Sequence, residues 1–148
     1  MHSLTSITYG TLRERAVALD RQNSLAYLRR GDTKSALSSL QNAIADYDRA
    51  IAIDPQNISA YLHRGDAKST LGEEKNFKDA IADYDRAISL QERSANASDP
   101  QNIAIYLRRG DAKHALKDYK GAIADYDYLR YATRTSNCDR SSKQVGLS

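Results

Sequence analysis

The stretch SAYLHRGDAKSTLGEEKNFKDAIADYDRAISLQERSANASDPQN, Ser59 to Asn102, decides the fold, because its phrases recur on either side of it. AYLRRGDTK stands at Ala26–Lys34 and is followed by NAIADYDRAIAIDPQN at Asn42–Asn57; IYLRRGDAK stands at Ile105–Lys113 and is followed by GAIADYD at Gly121–Asp127. Tyr27 and Tyr61 are 34 residues apart, as are Gly31 and Gly65. Tyr61 and Tyr106 are 45 apart, and the 11 extra residues fall as three within EEKN (Glu73–Asn76) and eight in QERSANAS (Gln91–Ser98). Self-similarity at such a period marks a solenoid, in which no unit buries its apolar face alone and neighbours must stack.

Each unit reads as two helices. Tyr27, Leu28, Gly31 and Leu37 give helical spacing over Ser24–Leu37, and Leu40, Ala43, Ile44, Tyr47, Ala50 and Ile51 follow the i, i+3, i+4, i+7 rule of an apolar stripe. Asp54-Pro55 then ends the second helix, since proline biases the residue before it out of the helical region and lacks a donor, and Asn57 is placed to cap the next helix. The same pattern predicts helices near Ile58–Leu71, Phe77–Leu90, Ile103–Leu116 and Tyr119–Ala132. ERAVALDRQN (Glu14–Asn23) lies 34 residues before DRAIAIDPQN, so residues 1–23 are expected to hold the second helix of a degenerate earlier unit, covering the front of the array. The units are then 24–57, 58–102 and 103–132. Residues 133–148, TRTSNCDRSSKQVGLS, are polar and poor in apolar residues, and disorder is expected there. The composition of QERSANAS favours a loop over a lengthened helix.

Composition sets the outer limits. With 41% hydrophobic residues the chain can build a core, while a mean hydropathy of -0.68 and no apolar run near ~18 residues exclude a membrane-spanning helix. MHSLTSITYG has no basic start and no apolar stretch of a secretory signal, and the one cysteine, Cys138, cannot form an internal disulfide. A reduced, cytoplasmic setting is the expectation. The net charge of +3 is spread as +1 over 1–23, 0 over 24–57, -2 over 58–102, +2 over 103–132 and +2 over 133–148. With both signs interleaved in every unit, there is no basic stripe of the kind nucleic acid requires.

The recurring residue types have structural readings that precede any chemical one. Gly31, Gly65 and Gly110 sit within helices at about 1 kcal/mol each relative to alanine, which close approach to Ala43, Ala80 and Ala122 would explain. Tyr27, Tyr61 and Tyr106, with Tyr47, Tyr84 and Tyr126, lie on the apolar stripes and belong to the core. The DYD pairs (Asp46 and Asp48, Asp83 and Asp85, Asp125 and Asp127) diverge by about 200° on a helix and cannot share a proton or an ion. A solvated face, with Asp46 and Asp83 paired to Arg49 and Arg86, is expected instead. His2, His63 and His114 have no ligand spacing and Cys138 has no histidine near it in sequence, so no enzyme chemistry, metal or cofactor is indicated.

The set Tyr61, Gly65, Leu71, Gly72, Phe77, Ala80, Tyr84 and Ala87, with Pro55 and Pro100 after the second helices, resembles the tetratricopeptide repeat in period, positions and helix-turn-helix form. It departs in carrying Lys34, Lys68 and Lys113 where the family has a first-helix aromatic, and SALSSL in place of a Leu-Gly turn in unit one. The resemblance implies an all-α, right-handed solenoid whose first helices line a concave groove that binds an extended or helical segment of another protein. By position that groove is lined by Leu28, Leu62 and Leu107; by Arg29, His63 and Arg108; by Asp32, Asp66 and Asp111; and by Ser35, Ser69 and His114. Leucines beside aspartates suit a ligand with apolar anchors and basic groups. The family's clamp for acidic chaperone tails uses groove positions that read Leu28, Asp32, His63, Ala104 and Arg108 here; only the arginine matches, so no chaperone-tail ligand is expected. With no polar capping helix in the pattern, the apolar face of the last helix, with Leu129 and Tyr131, is open: either the chain is part of a longer array or it self-associates as a homo-oligomer.

Overall fold

A computed structural model describes residues 2–94 and 100–145 of the chain. These residues form six helices and no strand: α1 (His2–Ala36), α2 (Leu40–Ile53), α3 (Ile58–Leu71), α4 (Glu74–Ser94), α5 (Pro100–Ala115) and α6 (Tyr119–Val145). Each helix packs on the next in the chain. In addition α1 touches α3 and α3 touches α5, whereas α2, α4 and α6 do not meet one another. The first helices are therefore drawn together and the second helices splayed apart, which makes the row α1-α3-α5 the inner face of the curve.

The boundaries have local causes. Asp54, before Pro55, is extended (φ -130°, ψ 92°), and Asn57 caps α3 by accepting from the Ala60 N–H at 3.1 Å. Gly72 closes α3 in the left-handed region at φ 77°. Ser38 and Lys117 hold the same place in the other units at φ 60° and 62°, so SALSSL makes the same turn without the glycine. Small residues let the helices close on one another: Ala43, Ala50, Ala60, Ala80 and Ala87 are fully buried, around the rings of Tyr47 and Tyr84.

Four expectations are corrected. There is no separate helix before unit one: α1 runs unbroken through 20–23, because Arg21 stands where Pro55 and Pro100 interrupt the later copies. Its described side chains over 11–23 are exposed, so they cover no face of the array, while Ser24 is buried and donates to the Ala50 carbonyl at 3.0 Å. The polar tail is helical through Val145, since no proline or glycine lies between Ala122 and Val145 and the Thr133 and Thr135 hydroxyls return to carbonyls one turn back. The insert lengthens α4 through Ser94; residues 95–99 lie outside the described residues. Finally, a Cβ on Gly31, Gly65 or Gly110 would meet not an alanine but the ring of Tyr47, Tyr84 or Tyr126, each at 2.6 Å.

Candidate protein-interaction groove

The first aspartate of each DYD pair does not lie on a solvated face, whereas the second, Asp48, Asp85 or Asp127, is exposed. Asp46, Asp83 and Asp125 are buried at 3%, 4% and 3% exposure, and each is held by an arginine and a lysine one turn apart on the first helix of its own unit. Arg30 and Lys34 hold Asp46 at 2.6 and 2.8 Å; Arg64 and Lys68 hold Asp83; Arg109 and Lys113 hold Asp125. The lysines at the family's aromatic position thus serve as counterions inside each unit. Hydrogen bonding from Arg30 holds the Asp46 carboxyl down at about 2, against the opposing pull of burial. Burial works to raise Asp125 as well, but Arg109 and Lys113 outweigh it and leave it below the usual range.

The second aspartate of each pair reaches the following unit. Asp48 meets the Arg64 Nη1 at 2.6 Å and Asp85 meets the Arg109 Nη1 at 2.7 Å. Each such arginine therefore bridges its own unit to the one before, while its guanidinium also lies over the ring of Tyr61 or Tyr106. Arg49 and Arg86, the expected helical partners, are not used for this.

On the inner face a second ladder runs through the predicted groove residues. Asp32 accepts from the Tyr47 hydroxyl at 3.1 Å and lies 2.7 Å from the His63 Nδ1; Asp66 accepts from the Tyr84 hydroxyl at 2.9 Å and pairs with the Arg108 Nε 3.0 Å away. Asp111 accepts from the Tyr126 hydroxyl at 2.8 Å and, being in the last unit, has no cation beside it among the described residues. Burial pushes Asp66 up, and it pushes the Tyr126 hydroxyl to about 12 with the Asp111 carboxylate adding to the effect.

The structure thus brings most of the predicted positions together on α1, α3 and α5, but not as equals. Leu28 is 6% exposed and packed in the first core cluster, so it is not part of any groove surface; Leu62 is half-buried and Leu107 is 45% exposed. Arg29 and His114 are exposed, His114 edge-on to the Tyr119 ring, and Ser35 and Ser69 are half-buried. Asp66, Ser69, Thr70, Tyr84, Arg108 and Asp111 line a cleft of about 270 Å³ between α3 and α5. What sequence reading missed was the pairing across helices, for which the only signal was the invariant placing of Arg and Lys around each glycine (RGDTK, RGDAK, RGDAK). No group of three metal-ligating side chains occurs among the described residues, and no described helix is long and apolar enough to cross a membrane.

The chain is an α-solenoid built from three helical hairpins, with first helices inside and second helices outside. A family model described as a TPR repeat matches residues 31–72, and the same signature recurs in the flanking units; the fold is that of a tetratricopeptide-repeat solenoid. Among solved structures, the first TPR of Spaghetti bound to an HSP90 peptide is similar at 24% identity and a TM-score of 0.65, over 86% of this chain and 95% of that one. The TPR2B domain of yeast Sti1 in complex with an Hsp70 peptide is similar at 25% identity and 0.65, over 84% and 91%. The Arabidopsis OM64 TPR domain is similar at 22% and 0.66, over 84% and 94%. No significant match was found among curated protein sequences.

Proposed function

We propose that this protein is a non-catalytic protein-interaction module that takes a segment of another protein along its inner face. The observation that carries the reading is the cleft between α3 and α5, lined by Asp66, Arg108 and Asp111, with the exposed Leu107 one turn before Asp111, the one aspartate of its row with no histidine or arginine of a following unit beside it among the described residues. A side chain with a positive charge finds its partner at Asp111 and an apolar neighbour packs on Leu107 and Leu62. Arg29, His63, Ser35 and His114 supply the rest of the lining. Asp66 contributes little to ligand charge recognition, because Arg108 already answers it.

The same pairing speaks against acidic chaperone tails as ligands. Arg108, the one clamp-type cation present, is engaged by Asp66, and Asp32 occupies a position where a carboxylate ligand would be repelled. A partner recovered from native lysate and identified by mass spectrometry is to be reduced to its binding segment and titrated against the intact chain, Leu107→Glu and Asp111→Lys. Both changes lie on exposed positions, so at least tenfold weakening by each supports the groove, and unchanged affinity in both overturns it. Titration with the peptide SRMEEVD tests the exclusion; micromolar binding refutes it.

A further inference from the structure

The interface between units recurs twice within the chain, and its two halves are left open at opposite ends. On the donor side, Ile44 of α2 and Ile81 of α4 pack into the clusters that hold Ala60 and Ala67, and Ile105 and Ala112. One turn on, Asp48 and Asp85 reach the next arginine. The residues at the matching positions of α6 are Ile123 and Asp127: Ile123 is 57% exposed, and the Asp127 carboxylate, exposed like those of Asp48 and Asp85, has only a 3.7 Å approach from Arg130. On the acceptor side, the positions of Ala60, Arg64 and Ala67 correspond in α1 to Ala26, Arg30 and Thr33. Ala26 and Thr33 are exposed, and Arg30, which holds Asp46 through Nε and Nη2, has no carboxylate on Nη1 among the described residues. Its side chain is 58% exposed, against 18% for Arg64 and 17% for Arg109.

We infer that a second copy of this chain docks head to tail, α1 of one copy on α6 of the other, with Asp127 closing on Arg30 of the incoming copy as Asp48 closes on Arg64. The charges are complementary and the apolar residue sits one turn away, as in the two interfaces already formed. Helices α2 and α3 run antiparallel, so in the docked pair the extension of α6 beyond Ala132 and the part of α1 before Ser24 lie alongside each other, where in the internal interfaces a loop turns the chain. Such a contact joins unlike faces and leaves one free face at each end of a docked pair, so further copies can add.

The test uses the whole chain and two blocked forms. Ile123→Glu with Asp127→Arg blocks the α6 face, and Ala26→Arg blocks the α1 face; all three sites are exposed, and circular dichroism melts check that the fold is kept. Analytical ultracentrifugation is expected to show the intact chain growing beyond a dimer with concentration, each blocked form monomeric, and an equimolar mixture of the two forming a heterodimer through the one intact pair of faces. A monomeric intact chain at several hundred micromolar overturns the inference. So does an Ala26→Arg form that still dimerises alone, since that places the contact between two α6 faces. Loss of groove ligand binding in Asp111→Lys leaves all these outcomes unchanged, so the two readings fail separately.

Discussion

Replacing Asp83 by alanine tests the central ion cluster. The carboxylate is 4% exposed and is met by Lys68 at 2.8 Å and by Arg64 through Nε at 3.0 Å, with a second Arg64 nitrogen on its other oxygen. The cations left behind are themselves covered, Arg64 at 18% and Lys68 at 17% exposure, so water cannot fully replace the lost partner. Removing one member of a buried charge cluster costs about 3–5 kcal/mol, chiefly because the opposite charges remain buried. Arg64 keeps Asp48, which places Asp83→Ala near the lower end, about 3 kcal/mol. Asp46→Ala is the internal control: Arg30 is 58% and Lys34 32% exposed, and hydration limits the loss to about 1–2 kcal/mol. Urea unfolding followed at 222 nm measures both. Against a total of about 5–15 kcal/mol for a domain, a 3 kcal/mol loss moves the midpoint well clear of error. Equal effects in the two variants, or less than about 1 kcal/mol for Asp83→Ala, would show that cation burial is not what makes these clusters costly to break.

Gly65→Ala, although it improves helix propensity by about 1 kcal/mol, is expected to destabilise by about 2 kcal/mol net, because its Cβ falls 2.6 Å from the Tyr84 ring, which is buried and cannot retreat; a raised melting temperature would refute the contact. Ser38→Gly and Lys117→Gly relieve residues held at φ 60° and 62°, and each should stabilise by about 1 kcal/mol in the same urea assay. Acid unfolding has a sign set by Asp46, whose folded pKa of about 2 lies below the ordinary carboxylate value. Its contribution is complete above about pH 4 and disappears as pH falls through 2, amounting to about 1 kcal/mol after allowing for the exposure of Arg30. Asp66, pushed up by burial, acts with the opposite sign. Urea midpoints between pH 2 and 5 should fall less steeply in Asp46→Asn than in the parent, and parallel curves would contradict the assignment.

The helical hairpins were legible because their signals are local. A 34-residue spacing, apolar residues at helical intervals and Pro55 and Pro100 as breaks all act within a turn or two of themselves, and the family signature rests on the same residues. The continuity of α1 is legible too, in Arg21 standing where the other copies have proline: Glu14–Asn23 matches Asp48–Asn57 in its helical positions but lacks the residue that breaks the helix. Which partner each charged or aromatic group meets was not open to the sequence. Asp46 and Arg30 are 16 residues apart, and Arg109 and Asp85 are 24 apart, distances at which only the angle and offset of packed helices decide contact. Spacing along one helix favoured Arg49 and Arg86 as counterions; the packing of the first helix on the second chose Arg30 and Arg64, buried the aspartates and laid the tyrosine rings on the glycines. The sequence by itself determined the repeat and its two helices. Tertiary structure alone decided which aspartates are spent inside the array and which, Asp111 and Asp127, stay open, because that depends on whether another unit stands beside them.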